Sequence, residues 1–125
     1  MTNTNQPSNE SAIDFPELLA RVDNDRELLL DLMSIFKEDF PRHLRELSDV
    51  VAARDLKKVT IVSHTLKGML ANLAVTRATA AAAKLEQLGR EAGGESEIAD
   101  AHRAFLREVQ GLLPEMEAYM AEVQR

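Results

Sequence analysis

The stretch Asp55-Leu-Lys-Lys-Val-Thr-Ile-Val-Ser-His-Thr-Leu-Lys-Gly-Met-Leu-Ala-Asn-Leu73 decides the fold. Its apolar residues Val59, Val62, Leu66, Met69 and Leu73 recur at 3-4-3-4 spacing, the period of one face of an α-helix, with Asp55 placed to cap its start. The same rhythm continues on either side. Upstream, Leu29, Leu32, Phe36, Phe40, Leu44, Leu47 and Val51 form a stripe, with Asn24 as the expected cap and Glu27 three residues on. Pro41 inside that stripe predicts a bend rather than a break. Further upstream, Asp14, Pro16 and Glu17 mark the start of a short helix ending near Arg21. Downstream, Ala78, Ala81, Leu85 and Leu88 define a small-residue face on a helix from Thr76 to Arg90. After a loop at Ala92-Gly93-Gly94-Glu95-Ser96, one kinked helix is expected from near Glu97. Its stripe of Ile98, Ala101, Phe105, Val109, Leu112, Met116, Tyr119 and Val123 passes through Gly111 and Pro114 without slipping.

No segment alternates as a strand would. The predicted architecture is all-α: an antiparallel four-helix bundle over residues 13–125 with a short extra N-terminal helix, preceded by a polar, disordered leader over residues 1–12. A length of 125 residues suits a single domain, and the lack of cysteine excludes disulfides and thiol chemistry. A net charge of −6 and 4 % aromatic residues argue against nucleic acid as a partner. No apolar run is long enough to cross a membrane and no secretion signal opens the chain, so a cytoplasmic monomer is expected.

Within this helix pattern, Ser63-His64-Thr65-Leu66-Lys67-Gly68 stands apart. On an ideal helix the apolar stripe lies on the side opposite His64, which therefore faces water. Gly68 follows one turn later on the same exposed face, where glycine costs about 1 kcal/mol relative to alanine. Helix stability does not call for it, but a close approach by another macromolecule does. Ile61, Lys57, Thr60 and Ala71 flank the ring and complete a surface for such a partner, and Lys67 is placed to balance charge on a group attached to the imidazole. Residues 54 to 84 carry six basic side chains and one acid, leaving this segment at +5 while the rest of the chain holds −11. An acidic partner, or a phosphate held in an acidic pocket, suits that face. His43, at the edge of its stripe, and His102 read as structural and surface residues respectively. With no i, i+4 histidine spacing, no metal site is expected.

His64-Thr65-Leu66-Lys67-Gly68, then Asn72-Leu73 and Leu85-Glu86, resemble the signature of histidine-containing phosphotransfer (HPt) domains, over residues 14 to 120. The resemblance implies a four-helix bundle whose exposed histidine takes a phosphoryl group from the aspartate of a receiver domain and passes it to another. By that likeness His64 is the phosphoacceptor, Lys67 the neighbouring cation and Gly68 the small residue that permits docking. The implied partners are response-regulator receiver domains, with a hybrid sensor kinase as a further candidate. Mg²⁺ is expected on the receiver, and this chain is expected to bind no cofactor. The chain departs from the family pattern in Met69 after the glycine and in Leu73-Ala74-Val75 where Leu-Gly-Ala is usual. A phosphoryl carrier without autokinase activity is expected, as no glycine-rich nucleotide loop is present. The competing expectation is a non-catalytic helical adaptor using the Ile61, Gly68 and Ala71 face. A general-base enzyme built on His64 lacks an evident acidic partner in the sequence.

Overall fold

The computed structural model describes residues 12–124. Among these, every regular element is helical: α1 (Phe15–Arg21), α2 (Arg26–Ala52), α3 (Leu56–Asn72), α4 (Thr76–Arg90), α5 (Glu95–Val109) and α6 (Leu112–Val123). The all-α four-helix bundle with an added N-terminal helix is the observed fold. Helices α2, α3 and α4 form three of its long members, and α5 with α6 supply the fourth. Leu29, Met33, Phe36, Phe40 and Leu47 of α2 meet Val59, Val62, Leu66 and Leu70 of α3 in the core, closed by Leu85 of α4 and Phe105, Leu112 and Met116 beyond. Removing a side chain of this kind from water contributes about 1.5–3 kcal/mol each.

Local chemistry explains the helix starts. The side chains of Asp14, Asp25 and Asp55 accept hydrogen bonds from the backbone N–H groups of Glu17, Leu28 and Lys58. The second of these corrects the expectation of Asn24, which lies in the left-handed region at φ 63° and so belongs to the turn before the cap. Helix α2 runs uninterrupted through Pro41. Its stripe is rotated slightly from the expected one: Met33 and Val50 are buried, Leu44 and Val51 only partly, and Leu32 is exposed.

The single kinked C-terminal helix is also corrected. The chain breaks at Gln110-Gly111 and restarts at Leu112. The Pro114 ring would collide with the Gln110 carbonyl in a continuous helix and has no N–H to offer it. As the third residue of a new helix, Pro114 sits where that N–H has no partner to lose. The apolar rhythm survives because the break does not turn the buried face away: Val109, Leu112 and Met116 are all in the core.

The expected leader lies outside the described residues except for its end. The Ala12 and Ile13 N–H groups donate to the Glu115 carboxylate at 3.0 and 3.1 Å, and Phe15 stacks on Tyr119 at 4.0 Å. These contacts fasten the N-terminal end to α6, while Arg21 Nη1 donates to the Ala71 carbonyl at 3.0 Å and fastens α1 to the end of α3. His102 is half-buried rather than a free surface residue, its Nε2 lying 3.4 Å from Ser48 Oγ. Burial, and then the charge of Arg103, lower its pKa.

Helix α3 ends in a Schellman turn, with Ala74 N–H donating to the Ala71 carbonyl and Val75 N–H to the Leu70 carbonyl. Ala74 therefore occupies the left-handed position, at φ 56°, that glycine fills without a Cβ penalty. The departure from Leu-Gly-Ala noted in the sequence changes the strain at this turn and leaves the helix end in place. Ala74→Gly is expected to raise stability by about 0.5 kcal/mol in urea denaturation, since relief of the strain outweighs the added freedom of the unfolded chain. A lower stability would contradict the strain assigned to this turn.

Candidate functional site

His64 projects from the middle of α3, its side chain 67 % exposed. The helix holds it there because Val62, Ser63 and Leu66 occupy the buried side. Gly68 follows one turn later with nothing within 4 Å of the position its Cβ would take, so the space beside the ring is open. Ile61, Lys57 and Ala71 are exposed with it, and Ile61 is the one exposed large apolar side chain among the described residues of α3. Thr60 differs from expectation. It is half-buried toward α4, its hydroxyl donating to the Leu56 carbonyl, and it offers a partner little surface.

The sequence reading missed the group on which the imidazole rests. Glu86 of α4 is 4 % exposed, one of two buried polar or charged residues among those described. Its Oε2 lies 3.0 Å from His64 Nδ1 and 2.7 Å from Arg90 Nη2, and its Oε1 lies 2.6 Å from Lys67 Nζ. The Lys67 hydrogen bond holds this carboxyl down to about 2, against burial, which pushes it up; Arg90, His64 and the Lys67 charge add to the lowering. Glu86 is thus ionised, and an ionised carboxylate can only accept. The contact to His64 must be donated by Nδ1–H. In the neutral ring that places the lone pair on Nε2, the nitrogen not engaged with Glu86.

Two further expectations change with this geometry. His64 does have an acidic partner, supplied by a different helix. Lys67 is not an unattached cation beside the ring: its ammonium is paired with Glu86 and its side chain is 33 % exposed. Arg90, one turn after Glu86 on α4, is a second cation at the site that the sequence did not single out, and it is more open at 65 %. The sequence signal for the carboxylate was an acid at the margin of an apolar face, since Leu85, Leu88 and Gly89 around Glu86 are all buried.

Alongside, the exposed Leu28, Leu32 and Ile35 form an i, i+4, i+7 stripe on α2. Leu32, Ile35 and Phe36 meet Met69 and Leu73 of α3 around a groove of about 400 Å³. The groove begins little more than a turn beyond His64. Among the described residues no group of three or more His, Asp or Glu side chains could hold a metal ion. No described helix is long and apolar enough to cross a membrane.

A family model of the Hpt domain matches residues 31–125. The chain belongs to the Hpt domain family. The match takes in α3 to α6 and most of α2, so His64, Lys67, Gly68, Glu86 and Arg90 all fall within it, whereas α1 does not. Hpt domains are phosphocarrier modules of two-component signalling, and phosphotransfer in that setting is the general function of this one. As members of the family they interact with receiver domains. No curated protein and no solved structure matches this Hpt domain significantly.

The depressed pKa of Glu86 sets a pH dependence. A carboxyl lowered in the folded state adds stability that is fully present above its ordinary value of 4.5 and lost as pH falls toward about 2. Wild type is expected to be more stable than Glu86→Gln by a constant amount above pH 4.5, with the gap narrowing below it. Urea denaturation at a series of pH values reads this. A gap that stays level down to the lowest pH at which the fold survives would show that Glu86 is not held ionised by its neighbours.

Proposed function

We propose that this Hpt domain carries a phosphoryl group on Nε2 of His64, taking it from the aspartyl phosphate of one response-regulator receiver domain and giving it to the aspartate of another. The observation that supports the reading most is the Nδ1–Glu86 contact, because in the neutral ring it makes Nε2 the unprotonated nitrogen, and it turns Nε2 away from the carboxylate. In the forward step the Nε2 lone pair forms the N–P bond while the bond from phosphorus to the aspartyl oxygen breaks, and that electron pair returns to the receiver carboxylate. No proton has to leave His64. Nδ1–H stays on the ring and on Glu86 throughout, so the domain needs no general base.

Phosphoryl transfer through a loose transition state depends on in-line placement and on balancing charge spread over the transferred oxygens. Open space at Gly68 admits the receiver, and the apolar groove with Leu32 and Ile35, together with the exposed Ile61 on α3, gives it a surface on which to seat. Lys67 and Arg90 against Glu86 leave a net single positive charge beside the ring. Lys67 is the residue assigned to charge stabilisation, and it can serve the phosphoryl oxygens by shifting from Glu86, which keeps Arg90. The Mg²⁺ such a reaction uses is assigned to the receiver. The carrier is read as a cytoplasmic monomer without autokinase activity. An adaptor that only binds through Ile61, Gly68 and Ala71 would have no use for a histidine with one nitrogen tied and the other free.

His64→Gln is expected to retain the helical content of the wild type and to accept no phosphoryl group from any phosphorylated receiver; labelling equal to wild type would remove His64 as the acceptor. Gly68→Gln should fold normally, since its side chain enters open space, yet transfer should fall by at least about tenfold because that space is where the receiver approaches. An undiminished rate would refute the close approach at this position.

A further inference from the structure

Gly89 lies on α4 directly against the backbone of α3, and it has no chemistry of its own. A Cβ on it would lie 2.5 Å from Thr60 Oγ1, 3.0 Å from Thr60 N and 3.1 Å from the Leu56 oxygen. Two of these atoms are helix backbone, which cannot turn aside as the end of a side chain can. The third is already engaged, because Thr60 Oγ1 donates to that same Leu56 oxygen at 3.0 Å. Any side chain at 89 must therefore push the two helices apart locally.

The two helices are antiparallel neighbours, so one turn forward from Thr60 is His64 and one turn back from Gly89 is Glu86. The glycine contact is thus the next rung of the seam that carries the 3.0 Å bond between His64 Nδ1 and Glu86. A hydrogen bond at that length weakens steeply with a few tenths of an ångström of separation or a tilt of the donor. Glu86 is also bound by Lys67 at 2.6 Å, on α3 itself, so a shift of α4 strains both contacts together.

We infer that Gly89 is a positioning residue for phosphoryl acceptance: by lacking a side chain it sets the α3–α4 separation at which Glu86 reaches His64 Nδ1 and fixes the ring tautomer. The inference rests on the reading of His64 as acceptor. Gly89 touches no reacting atom and acts only through Glu86.

The test is Gly89→Ala, followed by ¹⁵N NMR of the histidine rings and by the rate of phosphoryl acceptance from a phosphorylated receiver domain. Wild type is expected to show His64 as the Nδ1–H tautomer alone. Gly89→Ala should keep its helical content but show a mixture of tautomers, and acceptance should slow on the order of tenfold. In a Glu86→Ala background the same substitution should slow acceptance no further, and Thr60→Ala, which removes the nearest contact, should restore part of the rate to Gly89→Ala. If Gly89→Ala does not fold, the Thr60→Ala/Gly89→Ala pair is read against Thr60→Ala in the same way. An unchanged tautomer, or equal slowing with and without Glu86, would overturn the inference. Failure of wild type to accept phosphoryl at His64 would instead overturn the carrier reading, and the tautomer comparison would still decide the role of Gly89.

Discussion

A carboxylate taken almost wholly out of water is unstable as an ion unless donors replace its hydration shell. Glu86 is in that position, and three side chains supply the donors: Lys67 and His64 from α3, Arg90 from its own helix. The charge is not incidental to the site. Because Glu86 is held ionised it can only accept, which determines the proton position on His64 and, through it, which nitrogen faces outward. A neutral glutamic acid in the same place could donate instead and leave the ring tautomer undetermined. The structure around the carboxylate serves its placement: an apolar α4 face that buries it, a glycine that lets α4 approach, and a helix α3 that presents histidine and lysine one turn apart.

This arrangement also bears on how little the domain must do. With Nδ1–H engaged by Glu86, a neutral ring has a single nitrogen to use, and no proton transfer accompanies bond formation there in the proposed step. The electrostatic setting is mild rather than extreme, two cations against one anion. Such a balance suits a carrier that must both receive and release, since a site that bound the phosphoryl group too tightly would slow its departure. The basic character of residues 54 to 84 extends the same preference over a wider face in a chain that is otherwise acidic.

Much of this was legible in the sequence wherever one helix could be read by itself. The 3-4 spacing of Val59, Val62, Leu66, Met69 and Leu73 gave the buried side of α3, and hence the outward direction of His64, Gly68 and Ile61, all of which are exposed. Asp14 and Asp55 marked helix starts because capping is a local event. What required two helices was invisible. Glu86 is 22 residues from His64, and no periodicity within α4 says which residue of α3 it will meet. The same holds for Thr60, which a helical wheel turns toward solvent and α4 half covers. Gly89 drew no notice in the sequence, because the residues it meets, Leu56 and Thr60, belong to the other helix. The break before α6 was misread for another reason: an apolar rhythm reports which side is buried, and it can persist across an interruption that Pro114 enforces on the backbone.

The central claim is that Glu86 dictates which ring nitrogen of His64 is available. Identifying the nitrogen that bears phosphorus tests it most directly, through the ³¹P–¹⁵N coupling pattern of the ¹⁵N-histidine-labelled domain after exposure to a phosphorylated receiver. The account predicts phosphorus on Nε2, with Nδ1 still protonated. Attachment at Nδ1 would mean that the contact with Glu86 does not survive in the reacting molecule, and would contradict it.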